Sequence, residues 1–223
     1  MSKPTRRRLS VAERRILLLE AGLRLFGDRG VDDVAIEDIA REAGVSAGLL
    51  YHYFGSKRDF HHAVTAYACD RLEEVTRPDL AVAPGAQLVG SLAAYLEYLR
   101  DNAGGWTWLL RGGGGGSEEL WELGARVRAV SVGYVLDALP REAVTPVAAL
   151  AVRGWVGSNA EISLAWLEGG EPGIEEVLRL MVGVLLATLE VAGVPSTFLD
   201  SLRQQADAAL AGRGAATRAV RRA

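Results

Sequence analysis

A single cysteine, Cys69, stands in a chain of 223 residues, so no intramolecular disulfide framework is possible and a reducing compartment is expected. Long apolar runs are missing too. The stretch "LMVGVLLATL" at 180–189 is bounded by Arg179 and Glu190 and falls well short of the roughly 20 residues that span a membrane. The arginines near the start have no apolar stretch directly behind them, so no secretory leader is read there and a cytoplasmic protein is expected. Excess charge of one sign is also absent. The formal net charge of −3 does not describe a polycation that coats anions indiscriminately. No segment alternates β-forming residues with period two, which leaves an all-α fold.

Signatures of catalysis are scarce as well. The run Gly112–Gly116 lacks the preceding strand and the Gly-Lys-Ser/Thr ending of a phosphate-binding loop, and reads as a plain break between helices. Cys69 has no histidine partner outside its own helical segment except His52, which lies in a different module. His61 and His62 are neighbours, pointing about 100° apart on a helix, and no third metal ligand is evident. There is no nucleophile elbow, metal motif or dinucleotide fingerprint. The chain is read as a non-enzyme with no cofactor and no metal.

What is present is unevenly distributed. The first 15 residues hold Lys3, Arg6, Arg7, Arg8, Arg14 and Arg15 against Glu13 alone. A basic arm on a mildly acidic body points to local contact with a polyanion. Behind it, Ile16, Leu19, Leu23 and Phe26 recur at helical spacing, and "GDRG" stops the helix. A shorter helix puts Ile36, Ile39, Ala40 and Ala43 on one face and ends at Gly44, which supplies a left-handed turn. Ser46 caps a third helix, from about Ala47 to Phe54, and Ser56 caps a fourth that runs to about Thr76. Past "RPDLAVAPGA" (77–86) the chain turns to long apolar helices at about 86–102, 106–111, 117–139, 144–168 and 174–193, with a weaker one at 196–211.

The third helix divides its residues sharply. Leu50 and Phe54 face inward with Val45, toward Ile16, Leu19, Leu23 and Ile39. Ala47, Gly48 and Tyr51 share the opposite face. Two helices joined by a glycine turn make a helix-turn-helix, whose second member enters the major groove of DNA. Ala47 and Gly48 then let the backbone approach base edges, and Tyr51 can touch a thymine methyl or hydrogen-bond to the DNA backbone. Tyr53 and Lys57 extend sideways toward phosphates, and the amides behind Ser56 can receive one.

The stretch "LRLFGDRGVDDVAIEDIAREAGVSAGLLYHYFGSKRDFHHAV" resembles the DNA-binding domain of the TetR (tetracycline-repressor) family of bacterial regulators. The likeness is carried by Phe26, Gly30, Ile39-Ala40, Ala43-Gly44-Val45-Ser46, Gly48, Leu50-Tyr51, Tyr53-Phe54 and Lys57, over about the first quarter of the chain. It implies an N-terminal three-helix DNA-binding domain joined to a larger helical domain for dimerisation and effector binding. It further implies a homodimer on a near-palindromic operator, repressing until a small molecule enters. A ligand-independent DNA-binding protein or an activator of the same fold is the alternative. The DNA face comprises Ser46, Ala47, Gly48, Tyr51, Tyr53 and Lys57, with Glu37 and the arm residues Arg6, Arg7 and Arg8. Glu37 could repel phosphate or accept from a cytosine amine. One departure is Ala35, where the family usually caps the second helix with threonine; Asp32 or Asp33 could substitute.

The expected domains are 1–55 with the basic arm, 56–211 for effector and dimer, and a frayed basic tail at 212–223. Aromatic and polar groups in the central helices (Tyr95, Trp106, Trp108, Trp121, Tyr134, Trp155 and Asn159) are the candidate pocket, suited to a hydrophobic or amphipathic effector. An aromatic stripe at helical spacing is more often core than pocket, so any single tryptophan reads first as core. Gly154, Gly157 and Ser158, with Met181, Val184 and Leu185, are the candidate dimer interface, on small residues and on an apolar surplus around 174–193. Coupling between the domains is expected through the fourth helix.

Overall fold

Serine and threonine caps fix the helix starts in the computed structural model, which describes residues 10–29, 33–110 and 118–220, with backbone alone for 108–110 and 216–220. Every regular element among the described residues is helical: α1 (Val11–Arg29), α2 (Ile36–Glu42), α3 (Ala47–Phe54), α4 (Lys57–Val75), α5 (Pro84–Asp101), α6 (Ala103–Leu110), α7 (Glu118–Asp137), a 3-10 turn (Arg141–Ala143), α8 (Pro146–Gly169), α9 (Ile174–Val191) and α10 (Ser196–Val220). The Ser10 hydroxyl accepts from the Glu13 amide, and the Glu13 carboxylate accepts from the Ser10 amide at 2.7 Å. Ser56 and Asp59 open α4, with the Asp59 amide donating to Ser56 Oγ. Thr145 accepts from the Ala148 amide at the start of α8.

The chain separates into two compact units. The first holds residues up to Ala68 together with Asn102–Trp108; the second holds Cys69–Asp101 and the chain from Leu109 onward. This division differs from the expected break at 55/56, because α4 contributes to the first core. Phe60 and Val64 lie in one buried cluster with Leu18, Ile39, Leu50 and Phe54. The Phe60 ring meets Phe54 edge-on at 4.8 Å and Phe26 at 6.1 Å. Burying a phenylalanine this completely contributes about 1.5–3 kcal/mol, which holds the first part of α4 to the N-terminal helices.

Packing of α4 against Gly22 also turns α1. Leu18, Leu19, Gly22 and Phe26 point inward, while Ile16, expected in the core, is 44% exposed. The connection from α2 to α3 follows the expected glycine turn. Gly44 sits at φ 66, the Val45 amide donates to the Ala40 carbonyl at 2.9 Å and the Gly44 amide to Arg41 at 3.1 Å. Those two bonds make a Schellman stop, which an L-residue at position 44 would strain.

The second unit is organised around α5, α8, α9 and α10, with Leu96, Val152, Leu178, Met181, Leu185 and Leu189 fully buried. Indole groups tie its elements: Trp155 Nε1 donates to the Met181 carbonyl at 2.9 Å, and Trp166 Nε1 to the Pro172 carbonyl at 2.8 Å. Helix α10 does not stop near 211 as expected but continues to Val220. Arg213 explains part of the extension, since its guanidinium reaches Glu97 on α5 at 2.7 Å and Glu175 on α9 at 3.7 Å. Among the described residues no helix is long and apolar enough to cross a membrane.

Candidate nucleic-acid interface

Helix α3 owes its orientation to two buried side chains one turn apart, Leu50 and Phe54. With those fixed, Gly48 and Tyr51 are carried to the outside, Tyr51 remaining 45% exposed. Ser46 and Glu37 are exposed beside them. Ser46 Oγ accepts from the Leu49 amide at 3.2 Å, so its first task is to cap α3. Ala47 is half-buried against the edge of the core. A small, open N-terminal end followed by an exposed phenol is a surface that B-form DNA can approach closely.

Two expected groups behave differently from their neighbours. Tyr53 is half-buried and packs on the core rather than extending freely, its ring lying 5.9 Å from His52 and 6.3 Å from Phe54. The α4 N-terminus carries its own anion, because the Asp59 carboxylate accepts from the Ser56 hydroxyl at 2.6 Å. That carboxylate puts a negative charge at the helix end that would otherwise favour a phosphate. Lys57, half-buried, and Arg58, exposed, follow at once in the first turn.

The second helix departs at its cap as its sequence implied. Ala35 has extended geometry and provides no side-chain cap. Asp33 does not substitute with its side chain; its carbonyl accepts from Arg29 at 2.8 Å, and Asp32 lies outside the described residues. Asp38, at the third helical position, accepts from the Ala35 backbone amide. It bonds Arg29 at 2.9 Å and Arg41 at 2.8 Å. The Arg29 hydrogen bond, helped by the Ala35 backbone amide, holds the Asp38 carboxyl below the usual carboxylate range despite its desolvation.

Sequence reasoning counted Arg15 in the basic arm but missed its contact with α3. Its guanidinium lies 5.0 Å from the centre of the Phe54 ring, at the C-terminal edge of α3. No local pattern links positions 15 and 54; only the crossing of α1 behind α3 brings them together. His52, also exposed next to Tyr51, was not among the expected DNA-facing residues. Arg6, Arg7 and Arg8 lie outside the described residues.

Comparison with known proteins decides the family. Residues 18–64 match the model of bacterial regulatory proteins of the tetR family, and residues 84–188 match the tetracyclin repressor-like C-terminal domain. The chain belongs to the TetR family. Its N-terminal part is 58% identical over 45 residues to the HTH-type transcriptional regulator BetI of Agrobacterium fabrum, covering 20% of this chain and 22% of that one. It is 41% identical over 64 residues to the regulator HbdR of an Aromatoleum species, 29% of this chain and 28% of the relative. These curated matches thus span 22% and 28% of the relatives' own length. A tetR-family regulator of known structure from Streptomyces coelicolor aligns over 90% of both chains, with 28% identity and a TM-score of 0.74. A TetR-like regulator from Rhodococcus shares the fold at TM-score 0.63 and 24% identity, covering 82% of this chain and 99% of that one.

In this TetR-family chain the expected effector residues fall in both units. Ser163 Oγ lies 3.1 Å from the Tyr95 hydroxyl and donates to the main-chain carbonyl of Asn159, one turn earlier on α8, at 2.7 Å. Burial pushes the Tyr95 phenol up to about 12, so it stays neutral. The Asn159 side chain is 7% exposed, and its Oδ1 is buried without a hydrogen-bond partner. Trp155 is a core residue bonded to α9. Trp106 is buried in the first unit, not the second. Trp121 is 69% exposed, since Leu120 beside it faces inward instead. Tyr134 is half-buried on α7, and the Trp108 side chain lies outside the described residues.

The expected interface needs a correction on α9. Met181 and Leu185 are fully buried in their own protomer, because they share the inner face with Leu178 and Leu189. Val184 is half-buried. The outward row is Leu180, Gly183 and Ala187. On α8 the outward row is Val147, Leu150, Gly154 and Gly157, while Ser158 is half-buried and bonds back to the Trp155 carbonyl at 2.8 Å. Among the described residues no three histidine, cysteine or acidic side chains gather as a metal site. His61 instead packs edge-on against Phe26 at 5.5 Å. Burial raises the Cys69 thiol to about 11, which leaves it protonated and a poor nucleophile at neutral pH.

Proposed function

We propose that this TetR-family protein is a cytoplasmic, ligand-responsive repressor that binds a near-palindromic operator as a homodimer. The observation that carries the reading is the outer face of α3, where Gly48 and Tyr51 are exposed on a helix locked from behind by Leu50 and Phe54. Tyr51 reads base edges or thymine methyls, and Lys57, Arg15 and the arm Arg6–Arg8 neutralise phosphates. Glu37 stands at the rim, where it repels phosphate or accepts from cytosine. One short helix offers few base contacts, so two copies spaced about 34–36 Å apart supply the affinity.

The outward rows on α8 and α9 form the dimer contact: apolar Val147, Leu150 and Leu180 flank glycines whose absent Cβ atoms would meet nothing within 4 Å. The effector is mostly apolar with one uncharged hydrogen-bonding group. Support comes from Tyr95, Ser163 and the partnerless Asn159 Oδ1, a neutral cluster set among buried aliphatics. Effector binding relaxes operator affinity with a coupling of about 1–3 kcal/mol, or 5–150-fold.

The test is quantitative binding to duplexes selected in vitro with the full-length protein. Tyr51→Ala lowers affinity for the selected duplex by about 1–3 kcal/mol more than for random DNA. Lys57→Ala weakens both alike and reduces the salt slope by about one. If both variants bind the selected duplex as the wild type does, α3 is not the reading surface.

A further inference from the structure

Leu50 and Phe54, the two side chains that seat α3 on its core, also fix which residue points straight away from that core. Successive residues on a helix turn by about 100°. His52 stands two residues after Leu50 and two before Phe54, so each buried side chain lies about 160° from it. Tyr51 is one residue from Leu50 and three from Phe54, about 100° and 60° away, and projects to the flank. The exposed face of α3 therefore centres on His52, with Tyr51 beside it.

The surroundings leave that centre clear. Gly48, four residues earlier on the same stripe, and Gly55, three residues later at the helix end, are both exposed. A Cβ on Gly48 would meet nothing within 4 Å. The imidazole is thus the one side chain standing on this stripe of α3. Tyr53 braces its ring edge-on, with centroids 5.9 Å apart and planes at 74°, and Tyr53 is itself half-buried against the first core. Among the described residues none hydrogen-bonds the His52 ring nitrogens, whereas the Ser46 hydroxyl is occupied in capping α3.

We infer, on the α3 reading proposed above, that His52 is a base-reading residue that selects a purine at one position of each half-site. An imidazole carries at least one N–H in either protonation state, but it lacks the two parallel donors with which arginine grips O6 and N7 of guanine. A single N–H directed into the major groove is matched by purine N7, which guanine and adenine both present. The contact therefore separates purine from pyrimidine and leaves guanine and adenine nearly equal. Tyr53 is a positioning residue, holding the ring before DNA arrives and reducing the side-chain entropy lost on binding.

In vitro selection with the full-length protein, followed by competition binding, tests this. The wild type enriches a duplex with one purine position per half-site. Replacing that purine by its 7-deaza analogue, which lacks the N7 acceptor, lowers wild-type affinity by about 3–10-fold, the worth of one hydrogen bond. His52→Ala lowers affinity for the selected duplex by a similar factor and leaves binding to random DNA within about twofold. It no longer responds to the 7-deaza substitution, because the two changes remove the same contact. His52→Phe keeps a ring against Tyr53 but has no N–H; it behaves like His52→Ala, and it carries the test if the alanine variant does not fold. Equal losses on selected and random DNA mean a phosphate contact and overturn the inference. So does the lack of any purine whose 7-deaza analogue penalises the wild type and spares both variants. If selection with the wild type enriches no duplex, the α3 reading falls and this inference with it; an enriched duplex whose base preferences survive both substitutions removes the inference alone.

Discussion

The two units of this chain solve opposite problems. In the first, α3 is a short helix whose buried side, Leu50 and Phe54, exists to present the other side to solvent. In the second, α8 and α9 turn most of their bulk inward, and polar groups such as Asn159 and Ser163 are drawn into the interior with them. A surface that reads DNA needs a rigid support and a bare outer face. Under the proposed function, the second unit needs an interior that is not fully satisfied, so that a small molecule can pair with it. The contrast explains why Tyr51 is exposed on α3 while the Tyr95 hydroxyl of the second unit is hydrogen-bonded to the buried Ser163.

The comparison breaks most visibly if the support behind α3 is removed. Phe60→Ala deletes a fully buried ring and is expected to destabilise the first unit by about 3–5 kcal/mol, abolishing DNA binding while the helices of the second unit persist. Denaturation followed by hydrogen exchange would resolve the two units; a loss under about 1 kcal/mol would show that α4 does not belong to the first core. Next comes the separation of inward from outward positions on α9. Met181→Ala should cost about 2–5 kcal/mol in folding. Leu180→Glu should leave folding within about 0.5 kcal/mol and shift the sedimentation of the protein from dimer to monomer. The reverse pattern would return Met181 to the interface.

A subtler break concerns Asn159. Replacing it with leucine removes an unpaired buried oxygen, and the free protein is expected to gain about 1–3 kcal/mol while losing its response to effector. A destabilised Asn159→Leu variant would mean that the amide is already paired. The smallest effect is expected at Asp38. Its lowered carboxyl contributes fully above the ordinary aspartate range, and that contribution fades as pH falls through the lowered value. Asp38→Asn should therefore flatten the acid side of the first unit's stability profile; an unaltered profile would show that the Arg29 and Arg41 contacts are immaterial.

Sequence patterns with strict local geometry were legible. Gly44 announces a left-handed turn, Ser46 and Ser56 announce helix starts, and residues four apart announce a shared face, so α2, α3 and the outward position of Tyr51 followed directly. Features fixed by long-range crossing were not. Nothing beside Ile16 signals that α4 will press on Gly22 and turn Leu18 inward, and nothing beside Phe54 signals Arg15. On α9, apolar residues occupy both faces, so periodicity alone could not tell Leu180 from Met181. The same ambiguity scattered the aromatic candidates: a tryptophan's spacing marks it as apolar, but only the partner of its indole nitrogen, such as the Met181 carbonyl for Trp155, marks it as structural.

The enclosed, protonated thiol of Cys69 has a practical corollary. Because it is the sole native cysteine, a second one introduced at an exposed site such as Ser201 would take maleimide or a nitroxide alone, in an otherwise unaltered background. Spin labels placed this way on two copies would report the separation between them directly, in solution, before and after a small molecule is added.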